Sequence, residues 1–362
     1  MKTIVKIKLS PSKEQYQILL KTLEAFNAAC NYIAGVAFSQ KTANKYALQK
    51  LLYYDVKKRF GISAQLVIRA ISKVSEAYKR DKKTQPSFKS HGAIIYDPRI
   101  MSFRGIEAVS LSTVEGRQVI PMLIRDYFNA RMNRVQGQAD LVLIDGVFYL
   151  FATCDLPEET PINPEGFLGV DMGLVNVAIL STGEQFSGDQ IEKIRQRYAA
   201  LRASLQKKAT KSAKRHLKHL RKKEARFRRD LNHCISKKIV AIAKGTLSGI
   251  ALENLKGIRE RAKTVRRSQR SKHSGWSFHQ LAEFIGYKAR LAGVPVVVID
   301  PRNTSRECSK CGHLEKANRK RQAEFVCKNC GYIENADFNA AKVIASRAAS
   351  TSLSSSVKQS FA

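Results

Sequence analysis

The chain has 362 residues, 44% of them hydrophobic, enough for two or three domains with a sizeable core. Its 64 lysines and arginines against 30 acidic residues give a formal charge of +34. A surface so basic attracts polyanions through counterion release. Membrane lipid is the weaker partner, since no apolar run reaches bilayer length and the N-terminus carries no signal-peptide pattern.

Met1 to Leu9 alternates like a strand, and Ser10-Pro11-Ser12 followed by Gln15 carries helix-start chemistry. Ile18, Leu19, Leu23, Phe26, Ala29 and Tyr32 then recur at helical spacing, and further amphipathic stretches run through Leu48–Tyr54 and Ala64–Tyr78. The basic stretch Lys79 to Ser90 reads as a loop. From about Ala93 to Cys154 the period becomes two, with Asp145-Gly146 a strong hairpin signal between Asp140–Ile144 and Val147–Phe151. This pattern predicts a β-barrel built from residues 1–10 and 91–160, carrying a helical insertion at 11–90. The stretch Leu156 to Gly166 reads as a linker.

The second half alternates strands and helices, an α/β pattern behind an all-β and helical N-terminal lobe. Phe167–Asp171 is an apolar strand, and Val175–Leu180 continues it into a hairpin. A long helical region, Ile191 to Lys244, precedes a strand ending at Glu253, a helix from about Trp276 to Leu291, and a buried strand Val294–Ile299. A last helix begins near Asp337, and the Ser-rich tail, residues 350–362, is expected to be disordered.

Cys308-Ser-Lys-Cys311 and Cys327-Lys-Asn-Cys330, fifteen residues apart, match zinc-ribbon spacing, in which each turn directs two sulfurs at one tetrahedral Zn²⁺. Cys30, Cys154 and Cys234 are expected to be buried free thiols, and the whole set fits a reducing intracellular compartment.

Asp171, Glu253 and Asp337 lie 82 and 84 residues apart, each closing an apolar element or opening a helix. Converging carboxylates at strand ends are what two Mg²⁺ ions need for phosphodiester cleavage. Singly, each has a plainer role: a turn residue before Gly173, a solvent-facing strand end, and an N-cap for the last helix.

In their order, Gly169-Val170-Asp171-Met172-Gly173, Ala251-Leu252-Glu253-Asn254-Leu255 and Ala336-Asp337-Phe338-Asn339-Ala340-Ala341 resemble the three RuvC-type motifs of the TnpB family, transposon-encoded relatives of type V CRISPR effectors. Gly275-Trp276-Ser277-Phe278, Tyr287-Lys288-Ala289 and Pro301-Arg302-Asn303-Thr304-Ser305 reinforce the match. One departure is local: Ile333-Glu334-Asn335 precedes Ala336-Asp337, where relatives often carry Asp-Arg.

The resemblance implies an RNase H-like (RuvC) nuclease domain over 161–306 and 332–349, with the zinc ribbon inserted at 307–331. It implies RNA-guided cleavage of DNA beside a short flanking motif. Asp171, Glu253 and Asp337 would be the Mg²⁺ ligands, and Cys308, Cys311, Cys327 and Cys330 would hold structural Zn²⁺. The implied partners are a guide RNA and target DNA, as duplex and displaced single strand, with a transposase of the same element a further candidate. The implied location is cytoplasmic, near the nucleoid of a prokaryote.

Nucleic-acid contacts are expected from Lys207, Lys208, Lys211, Lys214, Arg215, Lys218, Arg221, Lys222, Arg226 and Arg229, where few acids compensate the charge. Arg266, Arg267 and Arg270 fall in a second basic stretch, Arg259 to Lys272, read as a lid over bound strands. His216, His219 and His233 are expected to face solvent or backbone rather than metal. Two other functions fit the pattern less well. A nuclease-inactive guided repressor has no need of all three acids, and a guide-independent transposase or nuclease would carry no defined RNA.

Overall fold

The structure is a computed structural model that describes residues 1–124, 131–173, 175–254 and 278–359, with side chains to residue 351. It divides into two compact units, Met1–Pro157 and Glu158–Ala362.

In the first unit, β1 (Lys2–Leu9) leads into three helices, α1 (Lys13–Ser39), α2 (Lys45–Phe60) and α3 (Ala64–Arg80). Six strands follow: β2 (Ile94–Tyr96), β3 (Met101–Arg104), β4 (Ala108–Thr113), β5 (Gly116–Leu123), β6 (Val135–Ile144) and β7 (Val147–Asp155). The start of α1 is set by a capping box. The Ser12 hydroxyl accepts from the Gln15 N–H at 3.1 Å, and the Gln15 side chain accepts from the Ser12 N–H at 3.1 Å.

The seven strands form one antiparallel, nearly closed, barrel-like sheet in the order β2-β6-β7-β1-β5-β4-β3. Val5, Ile7 and Leu9 point into its core while Lys2, Lys6 and Lys8 point out, which fixes the register. The β6–β7 turn places Asp145 at φ 52° and Gly146 at φ 77°, the left-handed pair a two-residue hairpin needs.

The second unit holds β8 (Gly166–Asp171), β9 (Asn176–Leu180), β10 (Gln185–Ser187), α4 (Asp189–Lys208), α5 (Lys211–Gly245) and β11 (Ser248–Glu253). It continues with α6 (Phe278–Leu291), β12 (Val296–Ile299), the short strands β13 (Glu324–Val326) and β14 (Ile333–Asn335), and α7 (Ala336–Gln359). The five-stranded sheet runs β10-β9-β8-β11-β12, so the first three strands form a meander and β8, β11 and β12 are parallel.

Because β8 and β11 are covered on both faces, they read as continuous apolar runs, whereas the edge strand β12, expected to be buried, leaves Val298 59% exposed. Leu168, Val170, Ile250 and Leu252 pack with Ile235, Ile239, Leu281 and Ile285 of α5 and α6, while Ala251 and Ile299 pack with Ile344 and Ala348 of α7. Gly169 permits that second layer: a Cβ there would sit 1.9 Å from the Ala341 carbonyl oxygen. No side chain larger than hydrogen fits where α7 crosses β8.

Three further expectations change. The helical region after β10 breaks in two, with Ala209 left-handed at φ 53° and the Thr210 hydroxyl capping α5 by accepting from the Ala213 N–H at 3.1 Å. The segment from Ser350 to Gln359 continues α7 rather than departing from it, and its run of Ser, Thr, Leu, Val, Lys and Gln contains no Pro or Gly to stop a helix. Cys234 is exposed, lying on the outer side of α5 opposite Ile235 and Ile239, whereas Cys30 and Cys154 are buried as expected. The Arg259–Lys272 stretch, with Arg266, Arg267 and Arg270, and the segment Gly275–Ser277 lie outside the described residues. No helix among the described residues is long and apolar enough to cross a membrane.

Candidate functional site

Asp171 ends β8 and Glu253 ends β11, and the parallel register that pairs Leu252 with Val170 brings the two carboxylates to the same sheet end. Asp337 comes from the first turn of α7, the helix crossing β8 at Gly169. All three are half-buried. Burial, with the charges of Glu253 and Asp337, pushes the Asp171 carboxyl up to about 7, against a partial relief from Arg319. Three acids from distant parts of the sequence therefore share one field, and that field is short of positive charge.

The plain roles considered for Asp337 and Glu253 do not describe them. Asn335 caps α7: its side-chain oxygen accepts from the N–H groups of Asp337 at 3.0 Å and Phe338 at 3.3 Å. The Asp337 carboxylate is thereby free of capping and instead accepts from Arg319 at 2.9 Å. Glu253 accepts from the buried Thr304 hydroxyl at 2.5 Å, so it is not a strand end merely facing water. Neither Arg319 nor Thr304 was legible as a site residue. Arg319 is masked by the basic run Arg319-Lys320-Arg321, and Thr304, though part of the Pro301–Ser305 stretch that reinforces the resemblance, carries no sequence mark of its bond to Glu253.

The four thiols converge fully. Cys308, Cys311, Cys327 and Cys330 place their sulfurs within 4.8 Å of one another, with Cys308–Cys330 at 3.7 Å and Cys311–Cys327 at 3.6 Å. Zn–S bonds of about 2.3 Å in a tetrahedron give sulfur–sulfur edges of about 3.8 Å, so the cluster has the size of a four-thiolate metal site.

Both turns use the same local design. Gly312 (φ 73°) donates to the Cys308 carbonyl at 2.9 Å, and Gly331 (φ 68°) donates to the Cys327 carbonyl at 3.1 Å. Each opening cysteine N–H then bonds the residue after that glycine, Cys308 to His313 at 3.0 Å and Cys327 to Tyr332 at 2.8 Å. Asn318, almost fully buried, ties the turns together by donating to the Arg306 and His313 carbonyls and accepting from the Lys328 N–H.

Among the described residues these thiols are the one set of acid, His or Cys groups close enough to grip a single ion.

The basic helices α4 and α5 form a hairpin. Leu201, Leu205, Ala213, Leu217 and Leu220 zip its inner seam, reinforced by an Arg202–Glu224 ion pair. The outward side carries Lys207, Lys208, Lys211, Lys214, Arg215, Lys218, Arg221, Arg226 and Arg229, all exposed, with Lys222 half-buried. His216 and His219 are exposed too, whereas His233 stacks on Phe284 with ring centroids 3.9 Å apart.

Residues 278–344 match the family model "Cas12f1-like, TNB domain", and residues 152–272 match "Probable transposase". A "Putative RNA-guided DNA endonuclease InsQ" of Escherichia coli (strain K12) is 26% identical over 89% of this chain and 87% of its own. A TnpB-like protein of Methanocaldococcus jannaschii is 30% identical over 41% of this chain and 54% of its own. The chain is thus similar to TnpB-like proteins and to RNA-guided DNA endonucleases.

Further relatives are larger. A "CRISPR-associated endodeoxyribonuclease Cas12f1" of Syntrophomonas palmitatica is 31% identical over 58% of this chain but 45% of its own. One from Sulfoacidibacillus thermotolerans is 33% identical over 55% and 50% respectively, so the chain spans about half the length of these relatives. Among solved structures, the protein of a Cas12f1–sgRNA–target DNA complex superposes with a TM-score of 0.65 at 14% identity, covering 95% of this chain and 98% of that one. The mini-RNA-guided endonuclease CRISPR-Cas_phi3 gives 0.59 at 10% identity, over 95% and 91%. At such identities the superpositions establish a shared fold.

Proposed function

We propose that this protein is an RNA-guided DNA endonuclease whose cutting centre is the carboxylate trio Asp171, Glu253 and Asp337. The single observation that carries this reading is the convergence of the three acids. Asp171 and Glu253 end adjacent parallel strands, Asp337 joins them from the start of the helix crossing β8, and burial with the two neighbouring charges holds Asp171 up to about 7. Uncompensated buried negative charge is costly unless cations arrive, and hard carboxylate oxygens favour Mg²⁺. Two Mg²⁺ ions held there would supply an activated water and stabilise the leaving oxygen of a phosphodiester. The sheet order supports an RNase H-like (RuvC) reading, with a three-strand meander followed by two parallel strands whose ends carry two of the acids.

Each remaining part has a role derived from its chemistry. Asp171 and Glu253 offer ligands from rigid strand ends, and Asp337 completes the set from a helix start. Arg319 offsets the carboxylate charge before cations bind and is placed to meet a phosphate afterwards. Thr304 fixes the rotamer of Glu253 by donating to one of its oxygens. The four thiols hold Zn²⁺ as a closed structural site.

The α4–α5 hairpin grips phosphates, and the first unit, with its helical insertion at 11–90, holds guide RNA and the duplex carrying a short flanking motif. Base pairing then reads sequence, while the protein reads duplex shape.

The deciding experiment is to purify the full chain with its co-purifying RNA, sequence that RNA, and offer DNA that matches it. Mg²⁺-dependent cutting of matched but not unmatched DNA is expected. Equal cutting of both by RNA-free protein would overturn the guided reading in favour of a guide-independent nuclease.

A further inference from the structure

Asn339 is fully buried on α7, two residues beyond Asp337. Asparagine is a poor choice for a helix interior, and its amide is costly to bury unless both ends are bonded. Both ends are bonded here, to the backbone on either side of Cys308. The side-chain oxygen accepts from the Ser309 N–H at 3.0 Å, and the nitrogen donates to the Glu307 carbonyl at 2.7 Å. One side chain therefore clamps the turn that presents a metal-binding thiol to the helix that presents a carboxylate.

The strand-to-ribbon segment, residues 300–309, makes a second connection at its other end. Thr304 donates to Glu253 at 2.5 Å and to the Pro301 carbonyl at 3.2 Å. Arg347 of α7 braces the middle, donating to the Arg302 carbonyl at 2.7 Å and to the Glu307 carboxylate at 3.0 Å. A helix start has unpaired N–H groups and tends to fray. The placement of Asp337 thus depends on what holds the first turn of α7. That turn is held by the Asn335 cap, by the Arg319–Asp337 ion pair at 2.9 Å, by Ala336 packing on Cys308 and Phe325, and by the Ala336 N–H bond to the Ala323 carbonyl at 3.0 Å. It is held also by Asn339, which alone among these bonds the backbone on both sides of Cys308.

We propose that Asn339 is a positioning residue through which occupancy of the four-thiol site sets the geometry of the carboxylate site. With an ion on Cys308 the turn is rigid, the amide of Asn339 finds both backbone partners, and Asp337 is fixed beside Asp171. Without an ion the turn is released, the clamp loses its fixed partners, and Asp337 moves with the end of α7. The inference rests on the reading of Asp171, Glu253 and Asp337 as a divalent-cation site. It adds that this site is conditional on the ribbon, so that stripping or oxidising the thiols lowers cation affinity at a distance.

The test uses the full chain with its RNA, as wild type, Asn339→Ala and Asn339→Asp, each before and after the ribbon metal is removed with a mercurial thiol reagent and chelator. Metal content per chain is measured first, then Mn²⁺ affinity at the carboxylates by electron paramagnetic resonance. Asn339→Ala is expected to keep about one structural metal per chain yet bind Mn²⁺ roughly 10- to 100-fold more weakly, the usual effect of losing an outer partner. Stripping the wild type should cost the same factor, and stripping the variant should add little, because both remove one connection.

Asn339→Asp keeps the acceptor for Ser309 but faces Glu307 with a second acceptor, so it should fall in between. It also replaces the alanine variant if that one loses its ribbon metal. Wild-type Mn²⁺ affinity in a metal-retaining variant, or losses that simply add, would overturn the role of Asn339. A wild type that binds no Mn²⁺ would instead sink the carboxylate site, and the inference with it.

Discussion

The second unit contains two constellations of metal-ligand chemistry, and they are built on opposite plans. The four thiols lie within 23 residues of one another and are drawn together by duplicate turns, two left-handed glycines and a buried asparagine. The three carboxylates span 167 residues and meet only because two parallel strands end side by side and a helix crosses above Gly169. The first set is closed and satisfied by its own backbone. In the second, burial and the charges of Glu253 and Asp337 raise the cost of ionising Asp171. A closed soft-ligand site suits an ion that stays, while an open, charge-strained oxygen site suits ions that arrive with substrate.

The sharpest way to break this contrast is to remove one acid. Asp171→Ala is expected to lower guided DNA cleavage by about 10³-fold or more while leaving RNA and target binding nearly unchanged, since the loss is one of transition-state stabilisation. Gel-based cleavage and binding assays on the same preparation separate the two quantities. Retained cutting would mean that the trio is not the cutting centre.

Damage to the closed site should act indirectly and less severely. Cys327→Ser is expected to reduce metal content below about half an equivalent per chain and cleavage by roughly 10- to 100-fold. The measurements are elemental analysis and single-turnover rates. Full activity without bound metal would detach the ribbon from the active site.

The basic hairpin should give a smaller, salt-dependent effect. Replacing Lys211, Lys218 and Arg226 by alanine is expected to weaken binding uniformly across sequences. The slope of log affinity against log salt should fall by about one for each phosphate that is no longer neutralised. An unchanged slope in a salt titration would mark that face as merely solvated.

How far the sequence announced these arrangements follows from how local each is. The thiol pairs, the Asp145-Gly146 hairpin and the Ser12–Gln15 capping box are encoded within a few residues, and the structure reproduces all three. The strand ends at Asp171 and Glu253 were legible as apolar runs that stop at an acid. Arg319 and Thr304 were not, because their importance comes from which carboxylate they reach after 18 and 51 residues of intervening chain have folded. Asn335 shows the same limit from the other side. Only the structure reveals that it performs the capping that Asp337 could otherwise have done. The expected end of the last helix at Ser350 failed because serine weakens a helix without stopping it.

The smallest expected effect tests the electrostatic half of the contrast directly. In the absence of divalent cations, the Asp171 carboxyl is held up to about 7 in the folded chain, against an ordinary value of 3.8. The folded state therefore binds a proton that the unfolded state has already released between those two pH values. Its stability contribution is intact below about pH 4, declines as pH rises, and the full cost is present above pH 7. Asp171→Asn removes that cost without changing shape. It should stabilise the cation-free protein above neutral pH by about 1–2 kcal/mol, discounted for partial exposure, or a few degrees in melting temperature, and by nothing near pH 4. Thermal melts in chelator at several pH values read this out. Adding Mg²⁺ should reverse the order, because only the wild type has the third ligand to gain from it. A variant that is never more stable than the wild type would mean that the trio is not under strain, and the open site would then resemble the closed one.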